Sequence, residues 1–227
     1  MIHTRNLTKL IRNGAIETKV LQNVNIDIEQ GEYVAILGPS GSGKSSLINT
    51  IGLIEKPSAG ELFFMDHEVS RLSERQRSNL RRGGIGFIFQ NFGLIKELKV
   101  YENIELPLQY LRYNKKERQQ KVEAVLAGLQ ISHLRQYFPD QLPALQKQLV
   151  AIARAVVSKP DLIVADEPTG SLSSSDGNRV MEVLSSLNEE GYTLVVATHS
   201  ALEAERAQRI IQLFDGHVVT ENIKNRL

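Results

Sequence analysis

Two periods of apolar residues run through the chain. Alternation over His3 to Thr8 and Val20 to Ile28, with Val24, Ile26 and Ile28 on one face, predicts strands separated by a turn at Asn13-Gly14. Gln30-Gly31-Glu32 then turns into an unbroken apolar run, Tyr33 to Leu37, expected of a strand covered on both faces. A helix is predicted after Lys44, ending near Gly52. Lys56 to Gly60 forms a second turn and Glu61 to Met65 an edge strand. Leu72 to Arg82 reads as a basic helix with Ser73 as its N-cap, and Ile85 to Phe89 as a short strand stopping at Gln90.

From about Asn91 to Ser158 the strand signals vanish. Helical spacing runs through Tyr101 to Tyr110, Lys115 to Leu129 and Gln146 to Val157. Strands return at Leu162 to Ala165, Thr193 to Ala197 and Ile210 to Phe214, and Asp215-Gly216 makes a hairpin turn into His217 to Thr220. Strands alternating with helices predict an α/β protein with a largely parallel sheet, into which a helical lobe is inserted. The expected layout is one domain, with 1–90 and 159–227 as the α/β core and 91–158 as the helical lobe. The charged stretch Asn114 to Lys121 reads as a solvated helix face.

Composition narrows the function. With 227 residues, 41% of them hydrophobic, the chain can bury a sizeable core. A formal net charge of +1 argues against a general nucleic-acid binder. The absence of cysteine excludes disulfides, thiolate zinc sites and cysteine nucleophiles. No apolar run approaches the ~20 residues that span a bilayer, and no signal-peptide pattern opens the chain. These features predict a soluble, intracellular protein whose membrane role, if any, runs through a partner.

The most specific chemistry lies between the Tyr33 strand and the helix after it. Gly38-Pro39-Ser40-Gly41-Ser42-Gly43-Lys44-Ser45 reads G-x-x-x-x-G-K-S, the phosphate-binding loop pattern. Its glycines let successive backbone N–H groups point at anionic oxygens, and the helix N-terminus adds partial positive charge. Lys44 is expected to reach the β- and γ-phosphates, and the Ser45 hydroxyl to ligate Mg2+; Ser46 completes the nucleotide-binding set. A second element is the strand Leu162 to Ala165 ending in Asp166-Glu167. Phosphoryl transfer needs a carboxylate for the magnesium shell and a group to orient the attacking water, roles that suit Asp166 and Glu167. His199 lies just past the Thr193 strand, within reach of a γ-phosphate, while His3, His67, His133 and His217 read as structural. Gln90 ends its own strand and can bridge metal or water to the helical lobe.

Together these residues resemble the ATP-binding subunit of ABC transporters. Gly38 to Ser45 is similar to Walker A, Gln90 to the Q-loop glutamine, Leu162 to Glu167 to Walker B with its catalytic glutamate, and His199 to the switch histidine. Gly31 to Ile36, Ile85 to Gln90, Glu102 to Leu108 and Ala165 to Gly170 are similar, more narrowly, to the macrolide-exporter and lipoprotein-releasing subfamily. The resemblance implies a P-loop NTPase core with an antiparallel β-lobe and a helical signature lobe, ATP and Mg2+ as ligands, and head-to-tail dimers. It also implies a peripheral location on the cytoplasmic face of a membrane, beside a permease subunit that sets the substrate.

Three departures accompany the resemblance. Where the family reads L-S-G-G-Q, this chain has Leu142-Pro143-Ala144-Leu145-Gln146, and a basic residue common just downstream is Leu149. Pro143 has neither hydroxyl nor N–H, and Leu145 is bulky where a phosphate needs space. The D-loop aspartate is replaced by Ser173, which still suits a helix cap. The adenine-stacking aromatic is replaced by Ile11, which covers a base by apolar contact alone. The expected function is therefore a transport ATPase driving a permease through contacts near Gln90 and Phe92 to Tyr101. The alternative is an impaired, regulatory or asymmetric ATP-binding subunit that needs a partner ATPase with an intact signature. Soluble ABC ATPases acting on DNA or ribosomes form a third class, whose fused pairs or long coiled coils this chain lacks.

Overall fold

A computed structural model describes residues 1–14 and 16–223. Along the chain run β1 (Ile2–Asn13), β2 (Ile16–Val24), β3 (Asp27–Ile28), β4 (Tyr33–Leu37), α1 (Lys44–Ile51), β5 (Ala59–Phe64), β6 (His67–Glu68) and α2 (Glu74–Gly84). There follow β7 (Ile85–Phe89), α3 (Val100–Tyr110), α4 (Lys115–Gly128), α5 (Ala144–Val156), β8 (Leu162–Asp166), α6 (Ser174–Glu189), β9 (Thr193–Thr198), α7 (Ala201–Ala204), β10 (Arg209–Phe214) and β11 (His217–Ile223). The α/β class and the order of elements match the sequence pattern. Backbone contacts gather them into two units, 1–80 with the described residues from Thr193 on, and Arg81–Tyr192.

In the first unit, β4 lies between β10 and β9, parallel to both, and β11 adds an antiparallel edge on β10. Val34, Ala35 and Ile36 are at most 1% exposed, as a continuous apolar run in a parallel sheet requires. The antiparallel sheet runs β2-β1-β5-β6, with β3 also on β1. Three strands differ from the sequence pattern. β1 and β2 extend through Leu10↔Lys19 to Asn13↔Ile16, because hairpin pairing carries them past the point where one face is buried. β5 is no edge strand, since β6 pairs with it at Phe63↔Glu68 and Phe64↔His67. The hairpin turn Asp215-Gly216 has φ of +46° and +75°, the left-handed pair that a two-residue hairpin favours.

In the second unit, β7 and β8 pair in parallel, Ile85↔Leu162 through Phe89↔Asp166. Helix α5 packs on β7 and also on α3, α4 and α6. Val100, Ile104, Leu108, Val122, Leu126, Val150 and Ala153 form the buried cluster joining α3, α4 and α5. Asn114 caps α4 by accepting from Glu117 N at 3.0 Å, while the Glu117 carboxylate accepts from Asn114 N at 2.9 Å.

Candidate functional site

The phosphate loop is built in the first unit. β4 ends at Leu37, level with Thr198 of β9, and Gly38 N donates to Thr198 O at 3.3 Å. His199, exposed, is the next residue after Thr198, so the loop and the histidine leave neighbouring strands side by side. A Cβ on Gly38 would stand 2.2 Å from Leu213 O and 2.6 Å from Ser42 Oγ, so only glycine fits where β4 becomes the loop. Gly43, N-cap of α1, has φ +102°, and a Cβ there would stand 2.5 Å from Val20 O. Gly216 N donates to Ser42 O at 3.0 Å, so the β10–β11 turn braces the loop from behind.

The loop has the features of an anion site. No side chain caps α1, and no acidic residue sits in its first turn, so its N-terminal amides meet no carboxylate there. Lys44 is buried at 6% exposure, its ammonium donating to Gly38 O at 2.8 Å and Pro39 O at 3.0 Å. Ser42 is 4% exposed and its hydroxyl has no hydrogen-bond partner. A buried orphan hydroxyl beside a buried cation fits a phosphate group, which would supply the missing acceptor. Pro39, Ser40 and Gly41 form the crest, with Ser42 N donating back to Pro39 O at 3.2 Å; Ser40 and Gly41 are exposed. Ser45 and Ser46 lie in the first turn of α1, Ser45 exposed and Ser46 half-buried. Ile11 is 38% exposed on β1, opposite Thr18 of β2.

The second unit brings the other candidates together. Because Phe89 pairs with Asp166, Gln90 and Glu167 leave adjacent strand ends. Ser171 Oγ donates to Gln90 O at 3.3 Å, and a Cβ on Gly170 would come 2.7 Å from Gln90 Nε2. Asp166 is half-buried. Glu167 has φ +47°, in the left-handed region, and opens a turn closed by Gly170 N donating to Glu167 O at 3.1 Å.

Helix α5 supplies the departures from the family pattern. Its N-cap is Pro143, which makes no side-chain cap, and the first turn offers Ala144, Leu145 and Gln146. The helix thus begins two residues before the predicted Gln146. Leu149 packs against the apolar cluster of α3, α4 and α5, so this position serves the core. Ser173 caps α6 as expected, accepting from Asp176 N at 3.2 Å.

Two polar residues of α5 escaped the sequence pattern. Gln148 is fully buried and donates to Pro168 O at 2.7 Å. Arg154 donates to Gly93 O at 2.6 Å and Phe92 O at 3.1 Å, and burial lowers its pKa. The signal for Gln148 was there, since it shares the helical face of Ala151, Ile152 and Ala155.

A family model described as ABC transporter matches residues 21–170. The chain belongs to the ABC transporter family. Within that family this cassette is 42% identical over 226 residues to the macrolide export ATP-binding/permease protein MacB of Campylobacter jejuni. The match takes in 100% of the chain and 35% of MacB, so the chain spans about a third of the length of that relative. It is also 42% identical to MJ0796, an uncharacterized ABC transporter ATP-binding protein of Methanocaldococcus jannaschii, over 97% of this chain and 96% of that one. The dimeric structure of MJ0796 superposes with a TM-score of 0.92, at 40% identity and with both chains covered in full. A second MJ0796 structure, a post-hydrolysis dimer bound to ADP and Pi, also gives 0.92.

Proposed function

We propose that this cassette binds and hydrolyses ATP as the energy-supplying subunit of a membrane permease of the macrolide-exporter or lipoprotein-releasing type. The observation that carries the proposal is the buried Lys44 beside the orphan Ser42 hydroxyl, at a helix N-terminus with neither cap nor acid. The backbone from Gly38 to Gly43 encloses the phosphates, Lys44 pairs with their β- and γ-oxygens, and Ile11 covers the base. Ser45, Gln90 and Asp166 are the oxygen donors for Mg2+, a hard cation suited to that set. Held by these residues, Mg2+ would supply positive charge to offset the negative charge that develops in phosphoryl transfer. Glu167 orients the attacking water and His199 contacts the γ-phosphate. The lobe at 91–158 carries the signature segment, and a second ATPase subunit completes a head-to-tail dimer. Its place is peripheral, at the cytoplasmic face of a membrane beside the permease.

The test is ATP hydrolysis by the purified chain against protein concentration, with Glu167→Gln as background. A rate per subunit that rises with concentration and vanishes in the variant supports the reading. A rate equal to that of the variant, alone and with any partner ATPase, overturns it.

One observation favours a second reading, an asymmetric dimer. The N-terminal turn of α5 offers Pro143 and Leu145 where the family places a hydroxyl and close-approaching backbone N–H groups. Losing one charge-assisted hydrogen bond costs about 1.5–3 kcal/mol. An ATP facing this α5 is thus held weakly, whereas an ATP in this chain's own loop can meet an intact signature on a different subunit. Mixing with an intact-signature ATPase should then yield hydrolysis that depends on Glu167, and no gain on mixing rejects this reading.

A further inference from the structure

Helix α5 keeps one polar side chain where its packing calls for none. Gln148 is 0% exposed, among Ala151, Ile152 and Ala155 on the buried face. Its Nε2 donates to Pro168 O at 2.7 Å. A carbonyl only accepts, so this contact settles which end of the amide is which. The other end, Oε1, is buried without a hydrogen-bond partner. A half-satisfied amide is a poorer core residue than methionine of nearly equal length, so packing alone gives no reason for a glutamine here.

The position of the gripped carbonyl supplies the reason. Pro168 follows Glu167, whose φ of +47° is a costly setting for a residue with a side chain. The proline ring fixes φ of residue 168, and a hydrogen bond to its carbonyl fixes ψ. Within the turn Gly170 N donates to Glu167 O at 3.1 Å and Leu172 N to Thr169 O at 2.9 Å, and Ser171 Oγ reaches out to Gln90 O at 3.3 Å. Gln148 therefore ties the turn to α5, little more than one helical turn from Pro143.

We propose that Gln148 is a positioning residue that locks the Pro168 peptide from α5, so that displacement of the N-terminal end of α5 changes where Glu167 presents its carboxylate. This inference rests on the role given to Glu167 above and adds how that role is regulated.

Amide hydrogen exchange and steady-state kinetics on the full chain test it, using Gln148→Met, which lacks the donor, and Gln148→His, whose Nε2–H reaches a similar point. In the Met variant, exchange at the Gly170 and Leu172 amides should rise about tenfold, the change expected for losing one hydrogen bond. Exchange in β4 should stay as it was. The kcat should fall with KM for ATP unchanged, and the His variant should recover both readouts. Unchanged exchange at Gly170 and Leu172 in a folded Met variant overturns the proposal whatever the turnover. So does a His variant that folds yet exchanges as fast as the Met variant, or raised exchange with wild-type kcat. Should the Met variant unfold, the His variant decides alone: slow exchange at both amides supports the lock, and fast exchange rejects it. A wild-type chain without hydrolysis, alone or mixed with an intact-signature ATPase, rejects the functional reading, while exchange still decides the lock.

Discussion

The Lys44 ammonium donates to the carbonyl of Gly38, six residues before it, at 2.8 Å. The cation is thereby parked on the loop it serves, with Pro39 O as a further acceptor at 3.0 Å. Its position is set by backbone carbonyls, so an arriving phosphate meets a charge already in place. Lys44→Met keeps the stem and removes the charge. ATP affinity should fall about 10- to 100-fold, the equivalent of one charge-assisted hydrogen bond, as read by fluorescent-nucleotide titration.

Arg154 performs a different kind of holding. Its guanidinium donates to the carbonyls of Phe92 and Gly93, tying α5 to the segment just after Gln90. Phe92 and Gly93 have φ of +64° and +57°, an irregular stretch that gains from outside support. Arg154→Met should lower stability by about 1–3 kcal/mol in urea unfolding, because the half-buried Phe92 carbonyl and the exposed Gly93 carbonyl lose their shared donor. Arg154→Lys should recover only part of this, since an ammonium lacks the planar fork.

Repair of the α5 N-terminus gives a sharper contrast. Pro143→Ser with Ala144→Gly and Leu145→Gly restores a hydroxyl and opens the backbone. Hydrolysis by the isolated chain should rise at least about tenfold if the present turn is what limits a homodimer. Two glycines in the first turn should also cost about 1–2 kcal/mol of stability. A repaired chain no faster than the original places the limit elsewhere.

Tyr33 sets an alkaline limit on the fold. Burial pushes its hydroxyl above the ordinary value of about 10, with Arg206 opposing the shift and Glu203 adding to it. The neutral phenol contributes fully below pH 10, where folded and unfolded chains are both protonated. Above pH 10 the unfolded chain ionises first, so stability falls as pH rises, by at most ~1.4 kcal/mol per pH unit for one group. Tyr33→Phe should flatten that slope in unfolding curves measured between pH 9 and 11. The hydroxyl is buried without a hydrogen-bond partner, so the variant should lose little stability at neutral pH.

The sequence declared most strongly what is local. Leu162 to Ala165 could only be a buried strand, Gly38 to Ser45 carried its chemistry in its spacing, and Ser173 announced its cap. What it concealed depends on a distant partner. Leu10 to Asn13 became strand because Ile16 to Lys19 pairs with it, and no apolar alternation is needed when neither face is fully covered. Gln148 read as one more polar residue of a helix, because the carbonyl that gives it meaning belongs to Pro168. Leu149 looked like a defect of the signature until its place on the α3–α5 cluster gave it a packing role.

The brace behind the phosphate loop has a consequence for how the chain is made. Ser42 and Gly38 leave the ribosome long before Gly216, which donates to Ser42 O at 3.0 Å, and Leu213, which backs Gly38. Contacts so distant along the chain form late, after most of the loop-closure entropy has been met. A nascent chain therefore displays the G-x-x-x-x-G-K-S segment without the scaffold that shapes it until that hairpin has been made. Tight nucleotide capture has to wait for the β10–β11 hairpin, so ATP acts as a ligand of the assembled loop and not as a template for its folding.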